Sequence, residues 1–445
     1  MARVLKLIAL AVAVALLTAG GAQAHWGVPH DSSADTVQLP IGIDSPLAGA
    51  GSFDCEGGTA GPYPCKNVDM KGFLPLPVQG GPAGNDIWGW TDPKDGREYA
   101  IMGTTHSTSF VDVTKPTDPV LVGVLPTNGI PDNVLWRDIK VDGHYAFVVS
   151  ELTASGMQVF DLRRLRRTNT SQDVPQVFDA DAIYDGISNT HNISINERTD
   201  YAYAVGTNKC AKNGEAGGLH MIDIAKPEKP KFAGCARVDD FSGEEPNNYV
   251  HDVECVVYRG PDRDYRGREI CFGSNENVVA IYDVTNKKDP RVISTTGYPT
   301  AAYTHQGSLT KGQRYFLFGD ELDEQTNGQP TTTYVLDVKD LDNPPAPKQH
   351  LHESASIDHN LYVHGKRVFE SNYAEGLRVL KYSNRSLRRG KLNEVGFFDV
   401  VPGVDIAEFA GTWSNYRFPD SGNVVVSTIE NEINGLFVLK PTLRK

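Results

Sequence analysis

The chain contains no Cys-x-x-Cys pair, which argues against a zinc ribbon or a thioredoxin-like redox site. It also lacks the Gly-x-Ser-x-Gly elbow, and no Ser-His-Asp order is visible, so nothing in it announces a nucleophilic hydrolase. Positive charge is scarce: 43 Lys and Arg stand against 56 Asp and Glu, a net charge of −13. That excess disfavours nucleic acid and anionic membrane surfaces as partners. The one dense basic run, "RRLRR" at 163–167, is read as a solvated turn. Long apolar runs are missing as well. After Leu17 no stretch reaches the length of a membrane span, so the mature chain is expected to have none.

The N-terminus is a different matter. Arg3 and Lys6 precede an apolar stretch from Leu7 to Leu17, and Ala22-Gln23-Ala24 follows as a small-x-small cleavage site. Residues 1–24 are therefore expected to be a secretory signal, and the mature protein to be secreted or periplasmic. No Cys follows the cleavage site, and the terminal "PTLRK" carries no sorting tail. An oxidising destination makes the 6 cysteines a disulfide set. Spacing alone leaves the pairing open; the expectation is that sequence neighbours pair, as Cys55–Cys65, Cys210–Cys235 and Cys255–Cys271.

A repeat organises the rest. From His191, Asp223 lies 32 residues on and Pro230 lies 39 on. The same offsets run from His251 to Asp283 and Pro290, and from His305 to Asp337 and Pro344. "SFVDVTKPTDP" around Asp112 keeps the Asp-to-Pro part, and "MQVFDL", "LRVLKY" and "LFVLKP" extend the series to 7 segments. Each unit reads as four short strands with Pro-, Gly- and Asp-rich turns. The Asp before each third turn is read as a cap for that turn's backbone.

Units of this length and number predict an all-β fold, a seven-bladed β-propeller of four-stranded blades. The last unit runs out after its third strand, and "VDMKGFLPLP" (68–77) resembles a fourth. The prediction is that this N-terminal strand closes the last blade. The expected division is a signal peptide at 1–24, a Gly/Pro-rich extension at 25–67 and the propeller at 68–445.

In a propeller the first strand of each blade lines the channel. The repeated histidine begins that strand, so His191, His251, His305 and His359 are expected to form an arc at one channel mouth. Trp88, Trp136 and Trp413 are read as the equivalents in the other three blades. Asp138, Asn192, Asp252, Gln306, Asp358, Asn360 and Asn415 follow or lie close by, and the loops after the second strands carry Glu151, Glu276, Asp320, Glu321 and Glu430. Imidazole beside carboxylate suits a divalent metal, with Zn, Mn, Fe and Ca as candidates. Asp252 or Asp358 would hold the second ring nitrogen of a ligating histidine. The competing reading is that channel polar groups satisfy one another and ordered water.

The stretches "SFVDVTKPTDPVLVG", "GGLHMIDIAKPEKPKFAGC", "YTHQGSLTKGQRYFLFGDELDE", "IDHNLYV" and "GTWSNYRFPDSGNVVVSTIENEINGLFVLKP" resemble the choice-of-anchor B family, whose members carry LVIVD-type repeats. The resemblance spans most of 68–442 and implies an exported bacterial, propeller-like protein. The family's C-terminal anchors have no counterpart here, so release or periplasmic residence is expected, and no settled activity carries over. The leading expectation is a binding module for a small molecule, peptide or cell-surface ligand. Trp88, Trp136, Trp413, Asp252, Asp358 and Glu321 would contact the ligand, and the four histidines would hold any metal. A metal-dependent extracellular hydrolase or oxidoreductase is the alternative, and an inert cell-envelope protein the third reading.

Overall fold

A computed structural model describes residues 52–130, 136–168, 175–210, 217–238, 249–429 and 435–443. The expected signal segment, most of the stretch 25–67 and Glu430 lie outside the described residues. Seven sheets follow one another around an axis, each beginning with its innermost strand and antiparallel apart from one short parallel edge strand, Gln176–Val177. The inner strands are Gly84–Thr91, Arg137–Asp142, Asn192–Asn196, Asp252–Val257, Thr304–Leu309, Asn360–His364 and Thr412–Arg417, and they are called here blades 1 to 7 in that order. Each inner strand packs on the next, and the seventh returns to the first. The chain is a seven-bladed β-propeller of four-stranded antiparallel blades.

The ring closes through the two ends of the described chain. Val68–Pro75 pairs antiparallel with Gly435–Pro441, in register from Val68 opposite Pro441 to Pro75 opposite Gly435. Radial closure matters because a four-stranded sheet ending on an open edge presents unpaired backbone groups. Just upstream, Thr59–Ala60 and Tyr63–Lys66 form a small hairpin that pairs with the outer strand of blade 6, Cys65 opposite Phe398.

Repeated local chemistry sets the turns. Asp112 Oδ1 accepts from the Thr114 amide at 3.0 Å, Asp223 from Ala225 at 3.0 Å, Asp283 from Thr285 at 3.0 Å and Asp337 from Lys339 at 3.2 Å. The repeated aspartate is a turn cap in every blade that has it. The three expected disulfides form, and Cys255 and Cys271 face each other across adjacent strands. The run at 163–167 departs from the expected solvated turn. It belongs to a 3-10 helix, Leu162–Arg167, that buries Leu162 and Leu165. Arg166 forks onto Asp92 at 2.5 and 2.6 Å, and Arg163 and Arg164 pair with Asp161 and Asp181. The apolar three-residue spacing of the leucines decided that outcome, and the arginines' charge is absorbed by neighbours.

Candidate functional site

A hydrogen bond shared between blades fixes which residues are equivalent. Asp86 Oδ2 accepts from the Ile139 amide at 3.0 Å, Asp138 Oδ2 from Ile193 at 2.6 Å and Gln306 Oε1 from Leu361 at 2.9 Å. The residue just before each acceptor stands at the channel mouth: Asn85, Arg137 and His305. His191, His251 and His359 hold the same place before Asn192, Asp252 and Asn360. Four consecutive blades thus bring four imidazoles together. Ring centroids are 4.3 Å apart from His191 to His251, 4.1 Å to His305 and 4.3 Å to His359. All four rings are buried.

The tryptophans divide. Trp413 takes the blade 7 position: its carbonyl accepts from His359 Nδ1 at 2.5 Å, and its ring meets that imidazole edge-on. Trp136 sits one residue ahead of the blade 2 position, packed at the same mouth with Ile357, Tyr373 and Trp413. Arg137 occupies the position itself and spends its guanidinium on the carbonyls of Thr104 and Thr105. Trp88 is elsewhere. Its ring lies 4.8 Å from the Lys140 ammonium and 5.6 Å from Tyr362, in a channel cavity of about 170 Å³ that Asp252 and Glu254 also line. Aromatic character misidentified the residue: Asn85 takes the blade 1 position, three places before Trp88, at a register shift that blade 5 shares between Thr304 and Gly307.

The histidines' two nitrogens do different things. Nδ1 of His251 lies 3.0 Å from the His305 carbonyl, and Nδ1 of His359 bonds the Trp413 carbonyl. A carbonyl only accepts, so both Nδ1 atoms carry a proton, and in the neutral His359 ring Nε2 carries a lone pair. The blade-to-blade role and the site role therefore coexist in one ring. Glu321, from the loop after the second strand of blade 5, faces these atoms: Oε2 is 3.5 Å from His305 Nε2, and Oε1 is 3.4 Å from His359 Nε2. Burial pushes the His359 imidazole down to about 3 and the Glu321 carboxyl up to about 7. A neutral His359 thus turns a lone pair toward a carboxylate oxygen. That approach is favourable only with a proton or a cation between them.

His191 is held differently. Burial opposes its charge, but the Glu151 carboxylate, 2.6 Å from its Nδ1, outweighs burial and raises its pKa. Tyr373 was not anticipated from sequence. Its hydroxyl donates to Glu321 Oε1 at 2.7 Å, and its backbone sits at φ 24°, a conformation side chains other than glycine adopt at a cost. Glu276, on the corresponding loop of blade 4, has φ 57°. Asp358 is not a partner of the imidazoles. It turns toward blade 5, where its carboxylate lies with Asp323 and Glu324.

Oxygen and nitrogen atoms of His251, His305 and Glu321 fall within 4.8 Å of one another. Two ligands each ~2.0–2.1 Å from a tetrahedral ion stand ~3.3–3.4 Å apart, which matches the 3.5 Å between His305 and Glu321. The residues present fit a divalent metal.

No family model matches the sequence, and no curated protein resembles it. Solved structures do. The fold is that of known β-propellers. Hydrazine synthase of Kuenenia stuttgartiensis superposes with a TM-score of 0.50 at 14% identity, over 82% of this chain and 97% of that chain. The periplasmic gluconolactonase PpgL of Pseudomonas aeruginosa gives 0.46 at 12% identity, over 71% of this chain and 88% of that one. Identities this low extend to architecture and no further.

Proposed function

We propose that the protein is an exported binding propeller that recognises its ligand through a divalent transition metal at the histidine-lined channel mouth. One observation carries the reading: Glu321 sits between the Nε2 atoms of His305 and His359 at 3.5 and 3.4 Å with His251 beside it, where a single cation would be shared by imidazole and carboxylate. His251, His305 and Glu321 would supply three ligands and leave a position for a ligand oxygen. His359 would lie against the other Glu321 oxygen, and Tyr373 would orient that carboxylate from behind. Imidazole with carboxylate suits Zn, Mn or Fe. Calcium, which takes oxygen ligands, suits this set poorly.

Export is part of the same reading. Three disulfides fit an oxidising compartment, and no helix among the described residues is long and apolar enough to cross a membrane. The N-terminal signal pattern and the likeness to choice-of-anchor B proteins agree with it.

Elemental analysis of tag-free protein, purified without added metal, tests this. One equivalent of Zn, Mn or Fe is expected, and it is lost when His251 and His305 are both changed to Ala. A wild-type chain with no such metal, and no change in melting temperature on adding any of the three, would leave the inert structural reading. Turnover of ester or phosphate probes that follows metal content would replace binding with metal-dependent hydrolysis.

A further inference from the structure

Beside the histidine site lies a second cluster that the reading above does not use. Asp323 and Glu324 open the short helix Asp323–Asn327 in the loop after the second strand of blade 5. Asp358 ends the segment that enters the inner strand of blade 6. Oxygens of the three carboxylates lie within 4.8 Å of one another. Their residues are 0%, 4% and 6% exposed. Asp323 Oδ2 accepts from the Tyr334 hydroxyl at 2.7 Å and from Gln329 Nε2. The other five oxygens, Asp323 Oδ1 and both of Glu324 and Asp358, meet no hydrogen-bond donor.

Neighbouring chemistry adds to the deficit. Asp320 is buried nearby and already satisfied by Tyr298 at 2.7 Å and by the amides of Ala302 and Tyr303 at 2.9 and 2.6 Å. It contributes a further negative field. No lysine or arginine among the described residues donates to the five oxygens. The backbone also makes room for the Asp358 carboxylate. A Cβ on Gly319 would fall 1.7 Å from Asp358 Oδ2, so the carboxylate occupies space that only glycine leaves open. Buried carboxylates persist when they are paired, when they keep their protons or when they coordinate a metal, and among the described residues no lysine or arginine pairs with these five oxygens.

We propose that Asp323, Glu324 and Asp358 bind a calcium ion, separate from any metal at the imidazoles. All the donors are hard oxygens, and their spread is one that ~2.4 Å calcium–oxygen bonds span. The ion would tie two pieces of the mouth together. Glu321 precedes Asp323 by two residues, and Asp358 immediately precedes His359, so calcium here fixes the loop that carries one and the strand start that carries the other. The proposal stands on the carboxylates alone and does not need the transition metal.

The test is a melting experiment on the full chain stripped with EDTA and titrated with calcium chloride. Saturating calcium is expected to raise the melting temperature by roughly 3 °C or more. Asp358→Asn and Glu324→Gln should each abolish that rise. Both remove a repelling charge, so the calcium-free variants should melt at or above the calcium-free wild type, which separates loss of binding from loss of fold. The chain with His251 and His305 both changed to Ala should keep the calcium response, so the two readings fail independently. A wild-type chain indifferent to calcium, or an Asp358→Asn chain with an undiminished rise, overturns the proposal.

Discussion

The middle of the channel and its histidine mouth handle buried charge in opposite ways. In the middle, Lys140 Nζ stands 2.5 Å from Asp138 Oδ1 and 3.5 Å from Asp86 Oδ2, with the Trp88 ring 4.8 Å away. Burial alone would raise the Asp138 pKa, but Lys140 and the Ile193 amide overcome it and hold that carboxylate low. Asp86 takes the lesser share of the same ammonium and is pushed up by burial. Both carboxylates also accept the backbone amide of the next blade's inner strand. They are pins of the ring with their counter-charge built in. At the mouth, Glu321, Glu324 and Asp358 are as deeply buried and no lysine or arginine answers them among the described residues. Where a charge serves only the fold, the chain brings its own partner. Where the partner is missing, the partner is expected from outside.

The comparison breaks most visibly at Lys140. Lys140→Met leaves Asp86 and Asp138 buried without a cation, and should lower unfolding free energy by about 3–5 kcal/mol in urea titrations. A loss under ~1 kcal/mol would remove the distinction between the two regions.

Glu370 tests an intermediate case, a buried carboxylate that accepts from the Thr333 hydroxyl at 3.0 Å and lies 3.5 Å from His352 Nε2. Burial raises its pKa to about 8. The folded chain then keeps a proton that the unfolded chain loses near its ordinary value of 4.5. The resulting penalty is absent below pH ~4.5, grows with rising pH and is complete above ~8. Glu370→Gln should therefore stabilise by about 4–5 kcal/mol at pH 9 and by almost nothing at pH 4. Equal effects at the two pH values would show that its burial carries no ionisation cost.

Tyr373→Phe sharpens the mouth side. It removes the donor to Glu321 and should weaken transition-metal binding by about 10- to 100-fold while the fold persists. Unchanged affinity in a metal titration would reduce Tyr373 to a packing role. The smallest effect is expected from Trp88→Phe, about 0.5–1 kcal/mol from a weakened contact with Lys140. Metal content should not change, because that ring belongs to the other region. A variant that lost metal would join the two regions that the structure separates.

Much of the architecture was legible in spacing. The His-Asp-Pro register marked equivalent points on successive blades, and the three-stranded terminal unit with "VDMKGFLPLP" marked the closure. The aspartate caps followed from local turn chemistry, whereas the disulfide pairing was open in sequence and is settled by which cysteines face each other. The site was legible only where it repeats. His191, His251, His305 and His359 come together because they share one register position. Trp88 was misplaced because blade 1 carries Asn85 where four other blades carry histidine, so the repeat leaves no marker there. Tyr373, Asp323 and Glu324 carried no repeat signal at all. They occur once, on blades 5 and 6, and reach the mouth through strand ends and a loop.

Sequence by itself determined the wheel: seven units of alternating strands, each with its turn chemistry, can bury their faces only against one another. Tertiary structure alone decided which carboxylates lack a counter-ion. That depends on distances between side chains from different blades, and a charge's cost is set by what surrounds it in space, which linear order does not encode.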